Sequence, residues 1–150
     1  MGRITELLGL ARNRANDLQL GYGGALTPAE AWEILQLAPG AKLVDVRTRA
    51  EQDWVGRVPN AVEIEWASYP GMERNPNFLA QLKAQVDHES LVLFLCRSGV
   101  RSHHAAELAS AHGFPTCYNI LEGFEGDKDA NHHRNTVGGW RRAGLPWIQG

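Results

Sequence analysis

Cysteine is scarce in this chain: 150 residues contain only Cys96 and Cys117. Without a Cys-x-x-Cys pair, the sequence encodes neither a disulfide framework nor a thiolate zinc site, and a reducing cytosol is the expected setting. Long apolar runs are missing too. No window approaches the roughly 18 uninterrupted apolar residues that a spanning helix needs, so a soluble chain with no membrane partner is expected. Nor is there a surplus of one charge. Fifteen Lys plus Arg stand against seventeen Asp plus Glu, a formal net charge of −2, which lacks the basic excess of a nucleic-acid binder. Any anion site must therefore be local. There is no internal repeat and no low-complexity tract. What remains is an ordinary globular composition, 43% hydrophobic and 21% charged, which excludes gross disorder and coiled coil. The length suits one domain with a real core.

Ile4, Leu7, Leu8, Ala11, Ala15 and Leu18 recur at helical spacing and predict an amphipathic helix. Glu6 and Asp17 argue against an acid-free transit peptide, and Glu6 stands where a myristoylation motif needs Ser or Thr. Residues 1–24 are therefore expected to form a helical extension, with the domain proper over 25–150. Thr27-Pro28-Ala29-Glu30 is a capping-box start for a helix to about Leu37, with Ala31, Ile34 and Leu35 on one face. Strand-length apolar runs follow at Lys42 to Val46, Ala61 to Ile64, Leu91 to Leu95 and Thr116 to Ile120. Helical stretches near Arg49 to Trp54, Asn77 to Val86 and Val100 to His112 lie between them. Such alternation predicts an α/β fold with a mostly parallel sheet covered on both faces. Leu91 to Leu95 is the most continuously apolar strand, expected at the centre, and it leads into Cys96. Open parallel sheets bind ligands at the carboxyl ends of their strands. The polar, Gly-rich stretch Glu122 to Gly139 is long for a connection and is expected to be a lid or binding element.

The chemistry concentrates in Cys96-Arg97-Ser98-Gly99-Val100-Arg101-Ser102, between that strand and a helix. A helix amino terminus offers unpaired N–H groups and a partial positive charge, which stabilise a sulfur anion. Ser98 and Gly99 are small enough to let the loop curl its amides inward. A cysteine at a strand end is commonly just a small buried residue; two arginines within five positions favour a nucleophile instead. Arg97 and Arg101 are expected to hold an anionic substrate, with Val100 and Ser102 completing the cradle. Asp45 is a charged oddity at a strand end, expected to orient an arginine of the loop, with Arg47 and Glu51 as a supporting ion pair; a purely structural salt-bridge network is the competing account.

Other residues read as structural. Cys117 is expected to be a buried thiol rather than a resolving partner of Cys96. Neighbouring helix positions point about 100° apart, so His103-His104 is not expected to share an ion, and His132-His133 likewise reads as exposed. Asp127-x-Asp129-x-Asn131 has His132 where a calcium loop needs Gly and Gly138 where it needs Glu. No metal is expected. Trp32, Trp54, Trp66, Trp140 and Trp147 read as packing anchors, with Trp66 a candidate for the pocket wall.

Taken together, these motifs resemble the rhodanese-like sulfurtransferases. Leu43-Val44-Asp45-Val46-Arg47 with Glu51 is similar to the family's first signature. Gly56-Arg57-Val58-Pro59-Asn60-Ala61 resembles its Gly-His-Ile-Pro-Gly-Ala segment, with Arg57 and Asn60 replacing His and Gly. Cys96 to Ser102 resembles the active-site loop, and Gly138-Gly139-Trp140-Arg141 and Gly144-Leu145-Pro146-Trp147 are similar to the carboxyl-terminal signature. The resemblance implies a single domain of about five mostly parallel strands and a cysteine that carries a persulfide. Its donor would be thiosulfate or a persulfide and its acceptor a thiol or cyanide, with no cofactor. Related phosphatases place five residues between Cys and Arg, whereas four separate Cys96 from Arg101. That spacing tilts the resemblance toward sulfur transfer over a Cys-dependent phosphatase or arsenate reductase. A persulfide- or anion-binding regulatory module without turnover remains the other alternative.

Overall fold

A computed structural model describes residues 2–149. Five parallel strands form the sheet, in the order β1-β7-β6-β2-β3, with β1 at Gly24–Leu26, β2 at Lys42–Asp45, β3 at Val62–Glu63, β6 at Val92–Leu95 and β7 at Cys117–Ile120. A small antiparallel hairpin, β4 (Ala67–Ser68) and β5 (Glu73–Arg74), follows β3. The helices are α1 (Gly2–Leu18), α2 (Pro28–Leu37), α3 (Arg49–Trp54), α4 (Phe78–Gln85) and α5 (Val100–Ala111). The central position predicted for Leu91 to Leu95 is where β6 lies.

Side-chain alternation along the strands creates the two layers. On β6, Val92 and Phe94, with Cys96 just beyond, join one buried cluster with Phe78 and Leu82 of α4 and Ala105, Ala106 and Ala109 of α5. Leu93 and Leu95 face the opposite cluster, which includes Leu7 and Ala11 of α1 and Ala31 and Ile34 of α2. Both faces are thus covered, and β6 reads as continuously apolar because neither of its faces sees water. Helix α1 packs on its own chain. Arg14 reaches the Ala25 carbonyl at 2.9 Å and pairs with Glu30 at 2.6 Å, while Arg3 pairs with Glu33.

Local signals explain the element boundaries. Thr27 and Thr48 each cap a helix in a complete capping box, with Glu30 and Glu51 as reciprocal acceptors. Asn60 takes the left-handed conformation at φ 67°, which Asn tolerates where the family segment has Gly. Arg57 pairs with Glu63 at 2.9 Å and with Asp53, so its guanidinium fixes the turn before β3. Its backbone also bridges to Ile148 near the carboxyl terminus. No helix among the described residues is long and apolar enough to cross a membrane.

Candidate active site

Parallel alignment puts the carboxyl ends of β2, β6 and β7 at one edge of the sheet, and the chain from Cys96 to Ser102 crosses that edge to enter α5. Gly99 is the turning point. At φ 108° it occupies backbone space that a residue with a Cβ rarely enters, and from there its N–H donates to Cys96 Sγ at 3.1 Å. The N–H groups of Val100, Arg101 and Ser102 form the first turn of α5 and have no protein acceptor among the described residues. The expected ring of amides therefore meets the resting sulfur through one member, Gly99. Sγ itself is sealed beneath the loop, with Cys96 only 1% exposed.

The 122–126 segment shapes this loop from outside. The N–H of Phe124 donates to the Cys96 carbonyl at 2.8 Å, and those of Glu125 and Gly126 donate to the Arg97 carbonyl. Asn119 Nδ2 donates to the Gly99 carbonyl at 3.1 Å. With its carbonyls drawn away from the centre, the loop leaves its amides for the interior. A Cβ on Gly123 would lie 2.5 Å from the Arg97 carbonyl carbon, so this close approach requires glycine. The stretch expected to be a lid thus begins as a brace. Further along, Asp129 accepts from the backbone N–H groups of Asn131 and His133 and from the Thr136 hydroxyl, and those backbone donors together with Thr136 hold its carboxyl below the usual range.

Charge is arranged differently from the sequence-based expectation. Asp45 orients no loop arginine; it pairs with Arg47, whose Nη2 lies 2.7 Å from Oδ2, and both side chains are fully buried. Arg47 also donates to the Gly56 carbonyl at 2.8 Å and stacks 4.2 Å from the Phe124 ring centroid. The pair therefore locks β2, the Gly56 turn and the bracing segment together. Glu51 supports the loop itself, taking Arg101 in a bidentate pair at 2.7 and 2.9 Å. Burial alone would raise the Glu51 carboxyl, but the Arg101 guanidinium and Thr48 overcome it and hold the group at about 2. Arg101 is thereby anchored, whereas Arg97 is exposed and makes no side-chain hydrogen bond or ion pair among the described residues. Ser98 and Gly99 are half-buried and Val100 is 62% exposed.

Ser102 belongs to the buried stripe of α5, in line with Ala105, Ala106 and Ala109. Its Oγ lies 3.3 Å from Cys96 Sγ and 2.5 Å from Asn119 Oδ1. Asn119 is the residue that sequence reasoning missed. Its signal was available: one amide side chain in the otherwise apolar and aromatic run Cys117-Tyr118-Asn119-Ile120, in a strand with all four residues buried.

The remaining candidates separate from this group. Cys117 pairs in register with Val92, four residues before Cys96, which is about 13 Å along the strand direction. Burial pushes its thiol up to about 12, and its sulfur contacts the Phe114 carbonyl at 3.2 Å. Trp66 packs on Phe78 and carries Arg74 on its face at 3.9 Å, and Trp140 is wholly buried. Trp54 is no anchor, being 70% exposed. His103 and His104 diverge less than helix geometry alone suggested. Their ligand atoms and that of Glu107 come within 4.8 Å of one another, while His103 Nδ1 already contacts the Tyr22 hydroxyl at 2.7 Å.

Comparison with known proteins bears on the family and the fold. Residues 27–130 match the family model of the rhodanese-like domain. The crystal structure of Rv0390 from M. tuberculosis superimposes with a TM-score of 0.80 at 47% identity, over 86% of this chain and 99% of that one. An uncharacterised protein of Rickettsia prowazekii, RP600, is 36% identical over 79% of this chain and 91% of its own. The thiosulfate sulfurtransferase GlpE of Actinobacillus pleuropneumoniae is 26% identical over 81% of this chain and 89% of its own.

Proposed function

This chain belongs to the rhodanese-like family, and on that premise we propose that it is a sulfurtransferase in which Cys96 carries the sulfur as a persulfide. The observation that carries the proposal is the Gly99 N–H donating to Cys96 Sγ at 3.1 Å, beside a first helical turn whose amides have no protein acceptor. Preorganised donors of this kind stabilise an anion without reorganising during the reaction.

In the first step the Cys96 thiolate attacks the outer sulfur of thiosulfate. The new Sγ–S bond forms as the S–S bond of thiosulfate breaks, and sulfite leaves with the electron pair. The terminal sulfur of the persulfide then carries the negative charge into the cradle of Val100, Arg101 and Ser102 amides. In the second step a thiolate or cyanide attacks that terminal sulfur, and the Cys96 thiolate is the leaving group. A persulfide donor enters the first step in the same way, with its own thiolate leaving.

The two loop arginines take separate parts. Arg97, exposed and without an acidic partner among the described residues, meets the donor's negative charge at the rim. Arg101, tied to Glu51, fixes the first turn of α5 and adds positive charge near the sulfur. Thiosulfate treatment followed by intact-mass measurement tests the reading. The expected result is one added sulfur atom on Cys96 that cyanide removes as thiocyanate. No mass gain with either thiosulfate or a small persulfide overturns it; a gain that no acceptor removes favours a persulfide-binding module instead.

A further inference from the structure

Three polar side chains meet beneath the loop, and counting hydrogens fixes how they are bonded. The Gly99 carbonyl can only accept, so the end of Asn119 lying 3.1 Å from it is the Nδ2 amide. The other end, Oδ1, then faces Ser102 Oγ at 2.5 Å. An amide oxygen carries no hydrogen, and the single hydroxyl hydrogen of Ser102 must occupy that contact. Oγ also lies 3.3 Å from Cys96 Sγ. With its hydrogen on Asn119, it presents the sulfur with a lone pair, which suits a thiol S–H and opposes a thiolate.

We propose that Asn119 is a positioning residue that controls the ionisation of Cys96 through the direction of the Ser102 hydroxyl. At rest the hydroxyl points to Asn119 and accepts the thiol hydrogen. On ionisation the thiol proton passes to a solvent base, the Oγ–H···Oδ1 bond breaks, and an Oγ–H···S⁻ bond forms; no electrons change hands. The purpose of the switch rests on the sulfur-transfer reading, because a persulfide or thiolate is the anion that draws the hydroxyl over. The bonding pattern itself does not.

Placement supports the assignment. Asn119 pairs in register with Phe94, on the face of the sheet that α5 covers. A buried amide in such a strand is costly unless both ends are bonded, and both are. Ser102 likewise interrupts a stripe that is otherwise alanine. The charged and titratable groups around the sulfur are Arg101 with Glu51 from α3, the Asp45–Arg47 pair at the end of β2, and exposed Arg97. Beyond Asn119 lie Tyr22 and His103, bonded to each other. Asn119 also reaches Tyr22, so substitution there disturbs that group, and the comparison made with Ser102→Ala in place separates this disturbance from the effect of the hydroxyl.

The pH dependence of Cys96 alkylation by iodoacetamide, followed by mass spectrometry on the full chain, tests the proposal and needs no sulfur donor. Asn119→Ala frees the Ser102 hydroxyl for the sulfur, and the alkylation profile should move to lower pH. At pH values below the wild-type midpoint the rate should rise about threefold, since a roughly tenfold gain in thiolate is partly offset by its weaker nucleophilicity. With Ser102→Ala already in place, Asn119→Ala should no longer move the profile. An unmoved profile in the first comparison, or an equal shift in the second, overturns the switch. A second measurement covers a variant that does not fold: in the Cys117→Ala chain the infrared S–H band of Cys96 should have the lowered frequency of a donor thiol, and a free-thiol frequency overturns the assignment. Loss of the thiosulfate mass gain with these results intact would sink the sulfur-transfer reading alone.

Discussion

Cys96 and Cys117 are both sealed from solvent, at 1% and 0% exposure, and both join the same buried cluster from neighbouring strands. They differ in where they sit along those strands. Cys96 follows the carboxyl end of β6, where the chain turns into a helix and a backbone N–H meets the sulfur. Cys117 opens β7, where the sulfur meets a carbonyl and desolvation pushes the thiol up to about 12. Exposure does not separate the two residues. The backbone group facing each sulfur does, an N–H at Cys96 and a carbonyl at Cys117, and chain direction sets which one it meets.

The strongest way to break this contrast is to remove each sulfur in turn. Cys96→Ser should abolish thiocyanate formation from thiosulfate and cyanide, whereas Cys117→Ala should keep it; turnover surviving in the first variant would end the contrast. Chemical labelling sharpens it next. Because the Cys117 thiol sits at about 12, on the order of one molecule in ten thousand is ionised there at pH 8. Peptide mapping after brief iodoacetamide treatment at that pH should find the label on Cys96, with Cys117 left largely unmodified.

Two further predictions concern what holds the reactive end together. Arg47→Met leaves the Asp45 carboxylate buried without its partner and should cost about 3–5 kcal/mol in urea unfolding. Pairing it with Asp45→Leu should recover much of that loss, and a double variant no better than the single would mean that the bonds to Gly56 and the stacking on Phe124 dominate. The smallest effect belongs to Glu51. Its carboxyl lies below its ordinary 4.5, at about 2, so its contribution to stability is full above about pH 4.5 and is lost as pH falls toward 2. Glu51→Gln should lower stability at pH 7 by on the order of 2 kcal/mol, and should flatten the acid side of the stability profile. Wild type and variant converging only above neutral pH would contradict that sign.

Much of this arrangement was legible in the sequence because its signals are local. Thr27 and Glu30 announce α2, the alternating clusters on β6 follow from an unbroken apolar run, and the small Gly99 marks where the loop after Cys96 can curl. Short elements outside an apolar run escaped notice. β1 has three residues and the β4–β5 hairpin two per strand, too few for any periodicity to register. Ion-pair partners escaped for another reason: Asp45, Arg47, Glu51 and Arg101 were all identified, but which acid meets which arginine depends on how β2, α3 and α5 pack. The Asn119 amide stood out in its strand, but its partners, like those of the brace at 122–126, lie in segments distant in sequence, and no local pattern encodes those contacts.

The missing Cβ of Gly123 carries a last implication. Because that residue and its neighbours grip the carbonyls of Cys96 and Arg97, the shape of the seven-residue loop is not portable by itself. Transplanting Cys96 to Ser102 onto a foreign strand and helix would carry the letters but not the curvature. A designer would have to import a second stretch of chain, some 25 residues downstream and with no reacting atom of its own, as the mould in which the first is cast.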